Sequence, residues 1–406
     1  METTPHPVPP APRSFLRIEG GVRHYDWGER QSDGRIPAIA DLLGEKAGDK
    51  PWAELWLGAH PSLPSQAALA DGRTMPLTEM FQADAGAWLG KRFAAAGTLP
   101  FLLKVLACSH PLSIQSHPDA ATAARLHAAH PELYPDANDK AELILALTPF
   151  EALDGFRTAE EVRGELERHA ALRPWLKVWQ NGADATNLRG CCAALFAWEE
   201  AEMRAALAEL AEAVGDGGSD SDRLFLRLLS EHPGDRGTLF AYVLCHVRLA
   251  PGEGLFLAPN TPHAYLHGVG LECMSNSDNV IRAGLTPKAV DVPTLLATVD
   301  FSRHGAMPLP RHERAAGAGR ISRYTPPTPN FEVSLLRDAA LHLRAEEAVP
   351  GVALVLEGTA LVRDAAGERP APRGSAWFRA ASLAEGEIAP SADGCLLAWA
   401  APRRVP

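Results

Sequence analysis

Short apolar runs with a side-chain period of two, broken by glycine- and proline-bearing turns, recur over most of this chain of 406 residues and restrict it to a mainly β architecture. From Phe15 to about Phe150 such runs alternate with turns such as Gly20-Gly21 and Asp71-Gly72, with a helical pattern only between Leu77 and Ala96. After Pro326 turns recur about every 8 to 12 residues between runs such as Val352-Ala353-Leu354-Val355-Leu356 and Cys395-Leu396-Leu397-Ala398-Trp399, which predicts a small barrel or sandwich. The middle differs. Thr158-Ala159-Glu160-Glu161 is a capping box followed by Val162, Leu166 and His169 at near-helical spacing. Ala193 to Val214 predicts one helix stopped by Gly215, and Ser221 to Ser230 predicts another. Strand texture returns with Leu239-Phe240-Ala241-Tyr242-Val243-Leu244 and His246-Val247-Arg248-Leu249.

These changes of texture divide the chain into a polar, proline-rich tail at 1–14, a β domain formed by 15–150 with 238–325, a helical insertion at 151–237, and a C-terminal β domain at 326–406. A weak internal echo relates Pro251-Gly252-Glu253-Gly254 to Pro372-Arg373-Gly374-Ser375, and aligning the two places Leu383 where the first copy has His263.

Composition excludes several functions. A formal charge of −11 leaves no broad basic face for nucleic acid or an anionic membrane. No apolar run approaches the roughly 18 to 20 residues that span a bilayer. Met1 to Pro12 lacks the apolar centre of a secretory signal, and the six cysteines form no C-x-x-C pair, so a reduced, cytoplasmic protein is expected. Phosphate-binding, dinucleotide-binding and nucleophile-elbow glycine motifs are missing from the sequence.

What remains is a set of metal-binding residue types on predicted strands. In Ser113-Ile114-Gln115-Ser116-His117-Pro118, a period of two sends Ser113, Gln115 and His117 to one face. In Lys140 to Leu147, Lys140 and Glu142 share a face opposite Leu143, Leu145 and Leu147, and His263 and Tyr265 share one in Pro262-His263-Ala264-Tyr265-Leu266. Two imidazoles, a carboxylate and an amide oxygen suit zinc first, although other first-row dications accept the same donors. His263 and His267 stand four apart, as in helical zinc proteases, but the general-base glutamate of that motif is missing. Each residue also has an ordinary reading: Gln115 and His117 as a solvated strand face, Glu142 as a strand-end carboxylate, Lys104 and Lys288 as surface cations, Arg282 as a salt-bridge partner, Trp27 and Tyr265 as core aromatics.

Several separated blocks tip that balance. Tyr25-Asp26-Trp27-Gly28, Pro51 to Pro61 (PWAELWLGAHP), Phe101 to Leu106 (FLLKVL), Ser113 to Pro118, Pro262 to Leu266 and Glu272 to Lys288 (ECMSNSDNVIRAGLTPK) occur in an order that resembles the type I mannose-6-phosphate isomerases. The resemblance implies a zinc-dependent enzyme of cupin (jelly-roll) fold interconverting mannose 6-phosphate and fructose 6-phosphate, while the helical insertion comes from the change of texture and the second, C-terminal cupin-like domain from the internal echo. The resemblance also implies Gln115, His117, Glu142 and His263 as ligands of one zinc per chain and Arg282 as an active-site arginine. One block departs from the family's pattern: Asn138-Asp139-Lys140-Ala141-Glu142 stands where the family usually reads Asn-His-Lys-Pro-Glu, so that histidine's role does not transfer.

The expected chemistry moves a proton between the first two sugar carbons through a cis-enediol. Arg282 supplies fixed positive charge, and Lys140, Asp278, Glu272 or a metal-bound water moves the proton. Lys104, Ser113 and Lys288 are expected to hold the phosphate, with Trp27, Tyr265 and Asp278 lining the sugar. The partner is then a small sugar phosphate and the protein a monomer. Two other readings stay open: a cupin isomerase of different sugar-phosphate preference, and a non-catalytic sugar-phosphate-binding protein.

Overall fold

The computed structural model describes residues 14–32, 34–69, 71–179, 182–344 and 349–403, so the predicted tail lies almost wholly outside the described residues. By its internal contacts the chain forms two compact units: 1–107 with 270–276 and 309–406, and 108–269 with 277–308. The strand His263–Ser275 passes from the second unit into the first.

In the first unit, strand-forming sequence becomes antiparallel sheet. The strands Gly351–Asp364 and Gly386–Ala401 pair from Val352↔Ala400 to Arg363↔Glu387, and Glu332–Arg337 extends the sheet beyond Gly386–Ala401. The start of the chain joins it: Leu16–Glu19 pairs with Ala376–Arg379 on one side and Gln66–Ala68 on the other. Phe15, Val355, Trp377, Leu383, Leu397 and Trp399 fill the core beneath. Leu383, the counterpart of His263 in the internal echo, is thus an apolar core residue. Removing such side chains from water supplies roughly 1.5–3 kcal/mol for each large one. Gly351 has no alternative, because a Cβ there would lie 2.0 Å from the Trp399 ring.

The second unit holds the longer helices; among the described residues the first has only the short ones Ala38–Leu43, Leu77–Ala83 and Ala85–Leu89. Ala159–Glu167 starts at the predicted capping box, with Thr158 accepting from Glu161 N and the Glu161 carboxylate accepting from Thr158 N. The helix expected from Ala193 to Val214 is two, Asp184–Ala197 and Glu200–Val214. Trp198 is extended between them, and Glu199 restarts the helix by accepting from the backbone of Ala201 and Glu202. The expected strand at Leu239–Leu244 is also corrected: Arg236–Tyr242 is a 3-10 helix, and the strand is Leu244–Leu249. A fully buried apolar run lacks the solvent face that would reveal its period. Trp175, Leu210, Phe225, Phe240 and Tyr242 pack these helices into one core with Ile114 and Leu266 from the strands.

The strands of this unit carry the candidate site. Phe150–Phe156 pairs with both Leu244–Leu249 and the His263 strand, and Glu142–Ala146 pairs with Gly254–Leu257. Glu142–Ala146 is buried on both faces, so its alternation is less strict than the sequence implies. Among the described residues no helix is long and apolar enough to cross a membrane.

Candidate metal centre

Register brings the site together before any side chain is considered. Asp154 faces His263 across one strand pair, His263 faces Gln115 across the next, and Gln115 faces Arg282 across a third. Directly opposed residues share a sheet face with Cβ atoms about 4.5–5.5 Å apart. Four polar residues distant in sequence therefore form one row.

His117 and Glu142 complete the group from neighbouring segments. His117 follows the strand Ile114–Ser116, and Glu142 opens Glu142–Ala146. The Glu142 carboxylate lies between the imidazoles, with Oε1 3.2 Å from His117 Nε2 and Oε2 3.3 Å from His263 Nε2. Each ring is fixed from behind, His117 Nδ1 at 2.8 Å from Asn279 O and His263 Nδ1 at 3.0 Å from Thr261 O. A carbonyl oxygen only accepts, so each Nδ1 carries the hydrogen and each Nε2 presents its lone pair inward. Backbone acceptors of this kind set the tautomer of metal-binding histidines.

The electrostatics agree with the geometry at His117 and Glu142, and pull against it at His263. Burial, helped by the Lys140 charge, pushes the His117 pKa down to about 4, which keeps that ring neutral. Burial alone would raise Glu142, but Lys140 and His117 hold it well below the usual carboxylate range. His263 moves upward: burial opposes its charge and the Glu142 carboxylate outweighs that. Asp154 is pushed up to about 6 by burial.

One ligand atom from each of His117, Glu142 and His263 lies within 4.8 Å of the others. Glu142 Oε2 and His263 Nε2 are buried without a hydrogen-bond partner among the described residues. Two imidazole nitrogens, an anionic oxygen and the Gln115 amide in the same row make a donor set that fits a zinc-type dication.

The remaining expected residues fall in different places. Lys140 is buried beside Glu142, and Arg282 is half-buried, its pKa lowered by burial. Ser113 is half-buried, while Asp278 and Lys288 are exposed. Tyr265 is buried edge-on against Phe150, in line with its ordinary reading as a core aromatic. Lys104 and Trp27 belong to the first unit. There Lys104 is buried, 2.9 Å from Glu272 and 3.8 Å from Glu54, and lies over the Trp56 ring, while Trp27 stacks on Tyr25. His267 is exposed on a strand, which removes the helical histidine pair.

Sequence reasoning missed Asn279 and Thr261, because a backbone carbonyl that orients a ring leaves no mark in residue type. It also missed Asp154, for which a signal existed: a carboxylate within the apolar stretch that follows Glu151 in Phe150–Phe156.

Comparison with known proteins bears directly on this centre. The description of the phosphomannose isomerase type I catalytic domain matches residues 15–159. A mannose-6-phosphate isomerase from Rattus norvegicus is 35% identical over 402 residues, covering 88% of this chain and 91% of the relative. The chain belongs to the type I phosphomannose isomerase family. A bacterial relative of the same name, from Escherichia coli, is 39% identical over 298 residues and covers 70% of this family member. A mutant phosphomannose isomerase from Salmonella typhimurium superposes with a TM-score of 0.84 at 31% identity, over 96% of this chain and 100% of its own. A zinc-bound mannose 6-phosphate isomerase does so with a TM-score of 0.84 at 30% identity and the same coverage. The cupin fold expected from the resemblance is the fold of these phosphomannose isomerases.

Proposed function

We propose that this phosphomannose isomerase family member interconverts mannose 6-phosphate and fructose 6-phosphate, with zinc held by Gln115, His117, Glu142 and His263. The observation that carries the reading is the buried convergence of two inward-facing imidazole lone pairs on Glu142, in the register row that also holds Gln115 and Arg282. Zinc bound there supplies an electrophile for negative charge developing on substrate oxygen.

The chain's own residues do the rest. Arg282 stays protonated even when half-buried, so it orients substrate and adds positive charge near the developing enediolate. Exposed Lys288 and half-buried Ser113 bind the phosphate. The engagement of Lys104 with two carboxylates leaves it less suited to that task than Lys288. Lys140 lies at the centre of the site and, with Asp278, is a candidate for moving the proton between the sugar carbons. The six cysteines form no disulfide among the described residues, which with the acidic charge supports a reducing, cytoplasmic setting, and we read the protein as a monomer.

A coupled assay for fructose 6-phosphate, run beside a panel of other aldose phosphates, tests this. Turnover of mannose 6-phosphate well above the panel supports the reading. Tight binding without turnover selects a non-catalytic sugar-phosphate binder instead.

A further inference from the structure

The strand that carries Arg282 ends in a connection whose position depends on one carboxylate from a different part of the chain. Ile281–Gly284 pairs with Ile114–Ser116 through Ile281↔Ser116 and Arg282↔Gln115, but the register slips before Gly284↔Ile114. Ala283 is thus the extra residue of a bulge, and pairing alone does not fix where the strand goes next. Leu285, buried, then adopts a φ of 52°, which a leucine holds only where the surroundings enforce it.

Asp235 provides the enforcement. Its Oδ1 accepts from Gly237 N at 2.6 Å, capping the 3-10 helix Arg236–Tyr242, while its Oδ2 accepts from Thr286 N at 3.0 Å. One carboxylate joins the turn before that helix to the backbone four residues after Arg282. The two segments touch without side chains between them: a Cβ on Gly284 would lie 2.6 Å from Gly237 Cα, and one on Gly237 would lie 2.5 Å from Leu285 N. The turn is anchored in its own right, because Arg236 Nη1 donates to the carbonyls of Leu195 and Phe196 at the end of the helix Asp184–Ala197. A cavity of about 530 Å³, bordered by Phe196, Met203, Pro287 and Val290, lies against the same connection. Ala283 and Leu285 pack into the core, and on the side facing the cavity the two hydrogen bonds and the glycine contact hold the connection.

We propose that Asp235 is a positioning residue for the isomerisation, holding the bulged Arg282 strand so that the guanidinium meets substrate in register with Gln115. This rests on the reading of Arg282 as the active-site cation. A displacement of about 1 Å in a group that stabilises a transition state costs up to about a hundredfold in rate. Asp235 touches no reacting atom, so its effect should pass entirely through Arg282.

A double-mutant cycle on the zinc-loaded, full-length protein tests this. Asp235→Asn turns an amide donor towards an N–H donor. Asp235→Ser keeps an acceptor for Gly237 N and loses the reach to Thr286 N, so it preserves the helix cap while cutting the tether. Both variants should lower kcat on the order of tenfold or more with KM and zinc content little changed. In an Arg282→Ala background either substitution should lower kcat less than about twofold, since coupled residues are non-additive. Wild-type kcat in Asp235→Ser, with or without a lower melting temperature, would overturn the proposal, as would an equal loss in both backgrounds. Wild-type turnover in Arg282→Ala alone would remove the reading of Arg282 itself, and this proposal with it.

Discussion

The Lys140 ammonium lies 2.8 Å from Glu142 Oε1, and both groups are buried. The same nitrogen is 3.1 Å from His117 Nε2. Lys140 therefore donates to two of the atoms a metal ion would take, and two cations compete for one set of donors. Breaking a buried ion pair by removing one partner costs about 3–5 kcal/mol, because the other charge is left uncompensated.

Lys140→Met should accordingly lower the melting temperature of the metal-free protein while relieving repulsion against a bound dication. The stabilisation on adding zinc, measured as a thermal shift at fixed protein and metal concentration, should be larger in Lys140→Met than in wild type. A smaller shift would mean that Lys140 supports the metal instead of competing with it.

Arg282→Ala should lower kcat by about 10²–10³, the usual effect of deleting one preorganised donor to a developing oxyanion, with a much smaller change in KM. Zinc content, measured by atomic absorption, should stay at the wild-type level. Loss of zinc with activity would show that Arg282 acts on the metal site instead.

Lys288 is exposed, and its backbone N–H donates to Thr286 Oγ1 at 3.2 Å. A surface cation of this kind contributes little to folding, within about 0.5 kcal/mol. If it holds the phosphate, Lys288→Ala should raise KM for mannose 6-phosphate more than it lowers kcat, at an unchanged melting temperature. The opposite pattern would place Lys288 in the chemical step.

Glu151 gives a prediction about acid stability that is independent of the metal. Its hydrogen bond to His246 and the Arg227 guanidinium hold its pKa at about 2 against an ordinary 4.5, burial working the other way. The unfolded chain takes up this proton first as pH falls, so the stabilisation is complete above the ordinary value and disappears towards the folded one. The stability gap between wild type and Glu151→Gln should be full at about pH 6 and close steadily below about pH 4.5. A gap that does not change with pH would mean the cluster adds nothing through charge.

Much of this was legible in the sequence, and the limits have physical causes. The capping box at Thr158 and the strand at Gln115 depend on local contacts, and local pattern revealed them. Glu199 restarting a helix was hidden, because a capping glutamate inside a run of alanine, leucine and glutamate reads as more helix. Leu239 to Tyr242 read as strand because complete burial erases periodicity. At the site, ligand residue types could be read, but the carbonyls of Asn279 and Thr261 that turn both rings inward could not. The slip at Ala283 and the reach of Asp235 to Thr286 are likewise products of tertiary structure.

The most direct test is to strip the protein of metal with a chelator, remove the chelator, and add zinc back in steps while following fructose 6-phosphate formation from mannose 6-phosphate. The account predicts negligible turnover at the start and a linear rise that breaks at one zinc per chain, with no recovery in His263→Ala. Full turnover in the metal-free protein, or a titration indifferent to His263, would contradict it.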